Sequence, residues 1–171
     1  GNTAHFRPLL FYKDPDRSQE TEVITQGQII AEIVDQCEAA NSGEPFSNVF
    51  ITAPTGSGKS ILFQIPAVYM AEKYNLVTIV VSPLIALMND QVDQLRREHG
   101  ISIAACINSS MSIEERRDVI SQIHTGQKSL LYLAPELLLT THLQSFLGGR
   151  QVGMVVIDEA HAVTSCQQEI T

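Results

Sequence analysis

Two stretches of this chain carry residues whose types and spacing can do chemistry. The first is Ala53-Pro54-Thr55-Gly56-Ser57-Gly58-Lys59-Ser60 and the second is Asp158-Glu159-Ala160-His161. In the first, Gly56 and Gly58 lack a Cβ, so the backbone can take positive φ and wrap closely around an anion. The amide N–H groups of such a turn point inward as a nest, reinforced by the positive end of a following helix dipole. Pro54, Thr55, Gly56, Ser57 and Gly58 would line a phosphate chain. Lys59 would set its ammonium on the β- and γ-phosphates, and the Ser60 hydroxyl would hold Mg²⁺. Only Ala53 departs from the commonest form of this pattern, where glycine is usual. In the second stretch an apolar run, Val155-Val156-Ile157, emerges into two acids. Asp158 would hold the metal, largely through its waters because Mg²⁺ dehydrates reluctantly. Glu159 would orient an attacking water and take its proton. Each stretch has a plainer reading, a glycine turn capping a helix and a solvated Asp-Glu pair. Together, in one α/β chain, they are what the two halves of a magnesium-nucleotide site require.

A phosphate loop must leave a strand and enter a helix. The run Val49-Phe50-Ile51-Thr52 predicts that strand, and Ile61-Leu62-Phe63-Gln64-Ile65 belongs to a helix over 60–74. Upstream, Ile29, Ile30, Ile33, Val34 and Cys37 recur at helical spacing over about 25–40, ending at Asn41-Ser42-Gly43. Downstream, apolar runs predict strands over 76–81, 101–107, 129–133 and 152–157, alternating with helices over 84–99, 112–124 and 135–146. Pro83 is expected to open one helix, Ser112 with Glu115 makes a capping box, and Gly100 and Gly126 lie just past two helix ends. Near-continuous Val/Ile/Leu strands separated by helices imply an α/β fold with a parallel sheet covered on both faces, and ligands of such sheets bind outside the carboxyl ends of the strands. Residues 1–20, with Pro8, Pro15 and Lys13-Asp14-Pro15-Asp16-Arg17, read as an irregular leader, and 21–171 as a partial nucleotide-binding domain.

The net charge is -8, from 11 Lys+Arg and 19 Asp+Glu, so tight non-specific binding of nucleic acid by basic side chains is not expected. Contacts from backbone amides and polar loops remain open. Cys37, Cys106 and Cys166 show no metal-ligand spacing and read as free thiols in a reducing cytoplasm. His5, His99, His124 and His142 likewise lack metal spacing. No signal peptide and no apolar run of bilayer length occur, so the expected setting is cytoplasmic, the nucleoid if bacterial, with no membrane partner. The Asn-Lys-x-Asp element of a GTPase is absent, and Leu147-Gly148-Gly149-Arg150-Gln151 reads as a glycine turn into the last strand rather than a transporter ATPase signature.

Residues 53–60 and the tetrad at 158–161 together resemble the first RecA-like motor domain of superfamily 2 helicases. Between them, Val81-Ser82-Pro83-Leu84-Ile85-Ala86-Leu87-Met88-Asn89-Asp90-Gln91-Val92 is similar to motif Ia in its RecQ-type form, and Leu130-Leu131-Tyr132-Leu133-Ala134-Pro135-Glu136 to the RecQ motif Ib segment. The resemblance runs from about Gln28 to Val163. It implies a RecA-like P-loop NTPase domain, incomplete at the C-terminus, of an ATP-dependent DNA helicase that uses ATP and Mg²⁺. Its implied partners are single-stranded or partially duplex DNA and a second RecA-like domain of the same chain, which supplies arginine fingers. It further implies that Ser82 and Pro83 meet the DNA backbone, that Gln28 reads adenine with Gln26 close enough to compete, and that His161 links the nucleotide site to strand movement. By their spacing alone, Leu84, Leu87, Met88, Val92 and Leu95 are an apolar stripe, more often core than a functional surface.

The chain departs from that family after the tetrad. Where an aromatic-rich loop is the rule, Cys166, Ile170 and Thr171 stand in place of tryptophan, phenylalanine and arginine. With no motif III and no second domain, the chain alone is expected to be a fragment that binds ATP and hydrolyses it very slowly. The resemblance also places the motif III strand between the phosphate-loop strand and the tetrad strand, so unpaired sheet edges are expected. The alternatives carried forward are an RNA-remodelling ATPase of the same superfamily and a nucleotide-binding regulatory module without motor activity.

Overall fold

The structure, a computed structural model, describes residues 8–12, 21–51, 58–140 and 143–158. Two units divide the chain, Gly1–Pro66 and Ala67–Thr171.

In the first unit β1 (Pro8–Tyr12) pairs antiparallel with β2 (Thr21–Thr25), in register from Pro8 opposite Thr25 to Tyr12 opposite Thr21. The irregular leader expected over 1–20 is therefore a strand over part of its length. Leu9-Leu10-Phe11-Tyr12 is an apolar and aromatic run that suits a pleated ladder, and its partner is β-branched at Thr21, Val23, Ile24 and Thr25. Helix α1 (Gln26–Ser42) follows at once. Thr25 is its N-cap and Gln28 its N3 partner in a reciprocal capping box. The apolar stripe is buried at Ile29, Ile30, Ile33 and Cys37, and Gly43 closes the helix in the left-handed region.

The strand expected at Val49, Phe50 and Ile51 does not form, and Phe50 is 92% exposed. A strand exists only through ladder hydrogen bonds, and among the described residues no strand lies beside this run. Thr52 lies outside the described residues. Helix α2 (Lys59–Tyr74) begins at the exit of the glycine-rich loop and buries Leu62, Phe63, Ala67 and Met70. Pro66 sits inside it without an N–H to return to the carbonyl one turn back.

The second unit is built on four parallel strands: β3 (Val77–Val81), β4 (Ala104–Ile107), β5 (Leu130–Leu133) and β6 (Val152–Ile157), in the order β4-β5-β3-β6. The connections carry α3 (Ile85–His99), α4 (Ile113–His124), α5 (Pro135–Thr140) and α6 (Leu143–Leu147). Val77, Ile79 and Val81 of β3, Ala105 and Ile107 of β4, and Leu131 and Leu133 of β5 form one apolar layer. Ile123, Leu137, Phe146 and Leu147 from the helices close it. Val155 and Ile157, in register with Ile79 and Val81, continue that face onto the outer strand β6 but remain 59% and 57% exposed.

Element ends differ from the sequence reading where a local bond competes. The strand expected over 101–107 starts only at Ala104, because the Ile101 N–H is spent on the Leu95 carbonyl that closes α3. Of the helix expected over 135–146, the described residues form α5 and α6, on either side of 141–142, which lie outside the described residues. Ser112 and Glu115 form the expected capping box, and the backbone N–H of Ser112 holds the Glu115 carboxyl below its usual pKa. Burial pushes the Cys37 and Cys106 thiols up, so both are poor thiolates, while Cys166 lies outside the described residues.

The amino ends of the strands are tied by one side chain. Arg150 donates from Nη1 to the carbonyls of Ile123 at 3.0 Å and Lys128 at 2.6 Å. From Nη2 it donates to the carbonyl and Oδ1 of Asn75 and to Ser129 Oγ. These acceptors come from the ends of α2 and α4 and the start of β5. The glycine turn that delivers Arg150 has φ of 58° at Gly148, where a Cβ would also run into the His124 ring. Arg150→Ala removes a donor from all these acceptors at once, though the Ile123 carbonyl keeps a backbone N–H from Gly126, and is expected to cost about 2–3 kcal/mol. Urea or thermal unfolding reads this as a fall in melting temperature of roughly 5–10 °C. Arg150→Lys recovers only part, because one ammonium cannot span the fork.

Candidate nucleotide site

The loop and α2 meet at Gly58, whose φ is 80°, in the left-handed region glycine tolerates. Lys59 is the first residue of α2 and Ser60 the second, so their backbone N–H groups are among the helix's orphan donors. Both side chains are half-buried. A Cβ at position 58 would lie 2.9 Å from Gln26 Nε2, so this position suits glycine for space as well as for φ. Pro54, Thr55, Gly56 and Ser57 lie outside the described residues.

The two candidate glutamines do different things. Gln26 is buried, and its Nε2 donates to the Gly58 carbonyl at 3.5 Å. Gln28 is exposed, and its Oε1 accepts from the Thr25 backbone N–H at 2.8 Å and from Thr25 Oγ1 at 2.9 Å. The acceptor that adenine recognition would use at Gln28 is thus engaged in capping its own helix.

Asp158 follows the last residue of β6, and its N–H donates to the Val81 carbonyl at 3.0 Å. Its side chain is half-buried. At the neighbouring strand end the Ser82 N–H donates to the Leu133 carbonyl, while the Ser82 hydroxyl is buried and accepts from Leu84 N–H at 3.5 Å. Ser82 and Asp158 therefore stand side by side at the carboxyl edge of the sheet, where α/β ligands bind. Pro83 precedes the extended N-cap Leu84, so it lies outside α3 rather than opening it. In the apolar stripe of α3, Met88 and Leu95 are core, whereas Leu84 is 53% exposed. Glu159 and His161 lie outside the described residues.

The sequence reading named Gln26 only as a competitor of Gln28, and it missed Asn108: at the carboxyl end of β4 this residue is buried, and its Oδ1 accepts from the N–H and hydroxyl of Ser110. A cavity of about 490 Å³ opens beside it, with Asn89, Glu115 and Asp118 on its walls. The Asn-Ser-Ser run was the available signal, as an Asx turn.

Ser60 and Asp158 offer a hydroxyl and a carboxylate. Both are hard oxygen donors, of the kind Mg²⁺ takes together with phosphate oxygens and water. Among the described residues no three His, Cys, Asp or Glu side chains gather into a metal cage, and a magnesium-nucleotide site does not need one.

The profile of the DEAD/DEAH box helicases matches residues 26–170, which is most of the chain. The chain belongs to the DEAD/DEAH box helicase family. The tetrad at 158–161 spells the second of the two boxes that name this family. The chain is 45% identical over 115 residues to the ATP-dependent DNA helicase RecQ of Synechocystis, covering 66% of this chain and 23% of that protein. It is 43% identical over 121 residues to the RecQ of Bacillus subtilis, covering 71% of this chain and 20% of the relative. The ATP-dependent helicase SGS1 of Saccharomyces cerevisiae is 34% identical over 136 residues, covering 77% and 9%. The chain spans less than a quarter of the length of these relatives. The four-stranded parallel sheet with its connecting helices agrees with the RecA-like fold expected of such a helicase domain. Among the described residues no helix is long and apolar enough to cross a membrane.

Proposed function

We propose that this chain is the ATP-binding part of the first motor domain of a RecQ-like, ATP-dependent DNA helicase, within a domain reaching from about residue 21 to 171. The observation that carries the reading is the left-handed Gly58 feeding Lys59 and Ser60 into the first turn of α2, in a chain that carries the DEAH tetrad. Lys59 neutralises the β- and γ-phosphates, and the loop amides of residues 54–58 hold the phosphate chain. Ser60 and Asp158 are the residues that would hold Mg²⁺, which when bound neutralises charge across the β- and γ-phosphate oxygens. Glu159 orients the attacking water and accepts its proton. His161 passes the state of the nucleotide site toward the strand-moving parts.

Gln28 reads adenine only if its carbonyl leaves the Thr25 capping box, so nucleotide binding through it would loosen the start of α1. Ser82 hides its hydroxyl, which leaves the main chain of 82–84, at the N-terminus of α3, as the group that meets DNA phosphates. Arginine fingers come from a second RecA-like domain, and the setting is the cytoplasm or nucleoid.

The test uses the intact protein that contains this chain. Hydrolysis of ATP stimulated by single-stranded DNA, and unwinding of DNA duplexes in preference to RNA, is the expected result. Unwinding of RNA alone would make it an RNA-remodelling ATPase. Hydrolysis that no nucleic acid stimulates would make it a regulatory nucleotide-binding module.

A further inference from the structure

We propose that Gln26 is a positioning residue for the nucleotide, holding the Gly58–Lys59 peptide so that the Lys59 N–H faces the phosphate chain. The proposal rests on the phosphate-loop reading above. A trans peptide is planar, and its C=O and N–H point in opposite directions across the bond. The Gly58 carbonyl and the Lys59 N–H belong to one such plane. Gln26 Nε2 donates to that carbonyl, across 32 residues of sequence, and thereby turns the Lys59 N–H to the other side.

Gly58 is where this control matters most. With no Cβ and φ of 80°, it joins the loop to the first turn of α2, where a turned Gly58–Lys59 plane would present a carbonyl oxygen to the phosphates instead of a donor. Gln26 is well placed to prevent it. Its side chain is only 5% exposed, so packing fixes the amide. The residue also lies between Thr25 and Gln28, whose reciprocal capping box locks the first turn of α1. Nε2 lies beside Gly58, where an added Cβ would come within 2.9 Å of it.

The test is Gln26→Met, which keeps the volume and removes the donor, with Gln26→Ala as a second variant. Calorimetric titrations with ATP and with inorganic tripolyphosphate, together with the melting temperature without ligand, separate the readings. The expected result is about three- to tenfold weaker binding of both ligands, by the same factor, with little change in melting temperature. Weaker ATP binding with unchanged tripolyphosphate binding would make Gln26 a reader of the base and overturn the proposal. Unchanged affinity for both, in either variant, would overturn it too, as would a melting-temperature loss that accounts for the whole effect. Lys59→Ala tests the underlying reading separately: if it leaves tripolyphosphate binding intact, the loop is not a phosphate site and this proposal falls with it.

Discussion

Lys59→Ala is expected to weaken ATP and ADP binding by roughly 100-fold or more, while the melting temperature of the ligand-free protein moves little. In the proposed site two sources of affinity would act together, the backbone amides and the ammonium. The substitution leaves the first and deletes the second. Opposite unit charges about 4 Å apart attract by about 4 kcal/mol at an effective dielectric near 20. Desolvation of the ammonium and the ordering of a four-carbon stem reduce that figure. A net of about 1.5–3 kcal/mol for a charged hydrogen bond, made to more than one phosphate, still exceeds two decades of affinity. The fold should not suffer, because Lys59 is half-buried at the first position of α2 and alanine is a better helix former. Lys59→Arg keeps the charge but replaces a compact ammonium with a planar fork, so its affinity should fall between the two. Equal binding by wild-type protein and Lys59→Ala would remove the phosphate site from this loop.

What the sequence made legible was local. The periodic stripe of α1, the Ser112–Glu115 box and the apolar runs of the four parallel strands each depend on residues close together in the chain, and all appear in the structure. The stretches around Lys59 and Asp158 stood out as candidates because their residue types are few and their order along the chain is fixed. What stayed hidden depends on partners far away in sequence. Val49, Phe50 and Ile51 carry a strand's composition, but composition supplies no ladder. Leu9-Leu10-Phe11-Tyr12 lies among prolines and charges, yet gains a partner in β2. Arg150 gave no signal of its role, since its acceptors come from positions 75, 123, 128 and 129. Gln26 and Gln28, two residues apart, could be ranked only once the capping box claimed one and Gly58 the other.

In the intact protein, Glu159→Gln is expected to leave ATP binding largely unchanged and to slow hydrolysis by roughly 10²–10⁴-fold. Glutamine matches the shape of glutamate and can still accept a hydrogen bond from the attacking water. It cannot take the proton, so the substitution removes base chemistry and little else. Asp158→Asn should behave differently, because that carboxylate is proposed to meet the metal: the expected loss is in magnesium-dependent binding. The contrast between adjacent residues is physically reasonable. The Asp158 N–H is tied to the Val81 carbonyl, which fixes Asp158 itself at the carboxyl edge of the sheet. Steady-state rates alone would not separate chemistry from product release. A single turnover of ATP bound in advance isolates the chemical step. If Glu159→Gln hydrolyses at the wild-type rate in that experiment, the carboxylate is not the proton acceptor, and any slowing in steady state would then belong to release of product from the closed site.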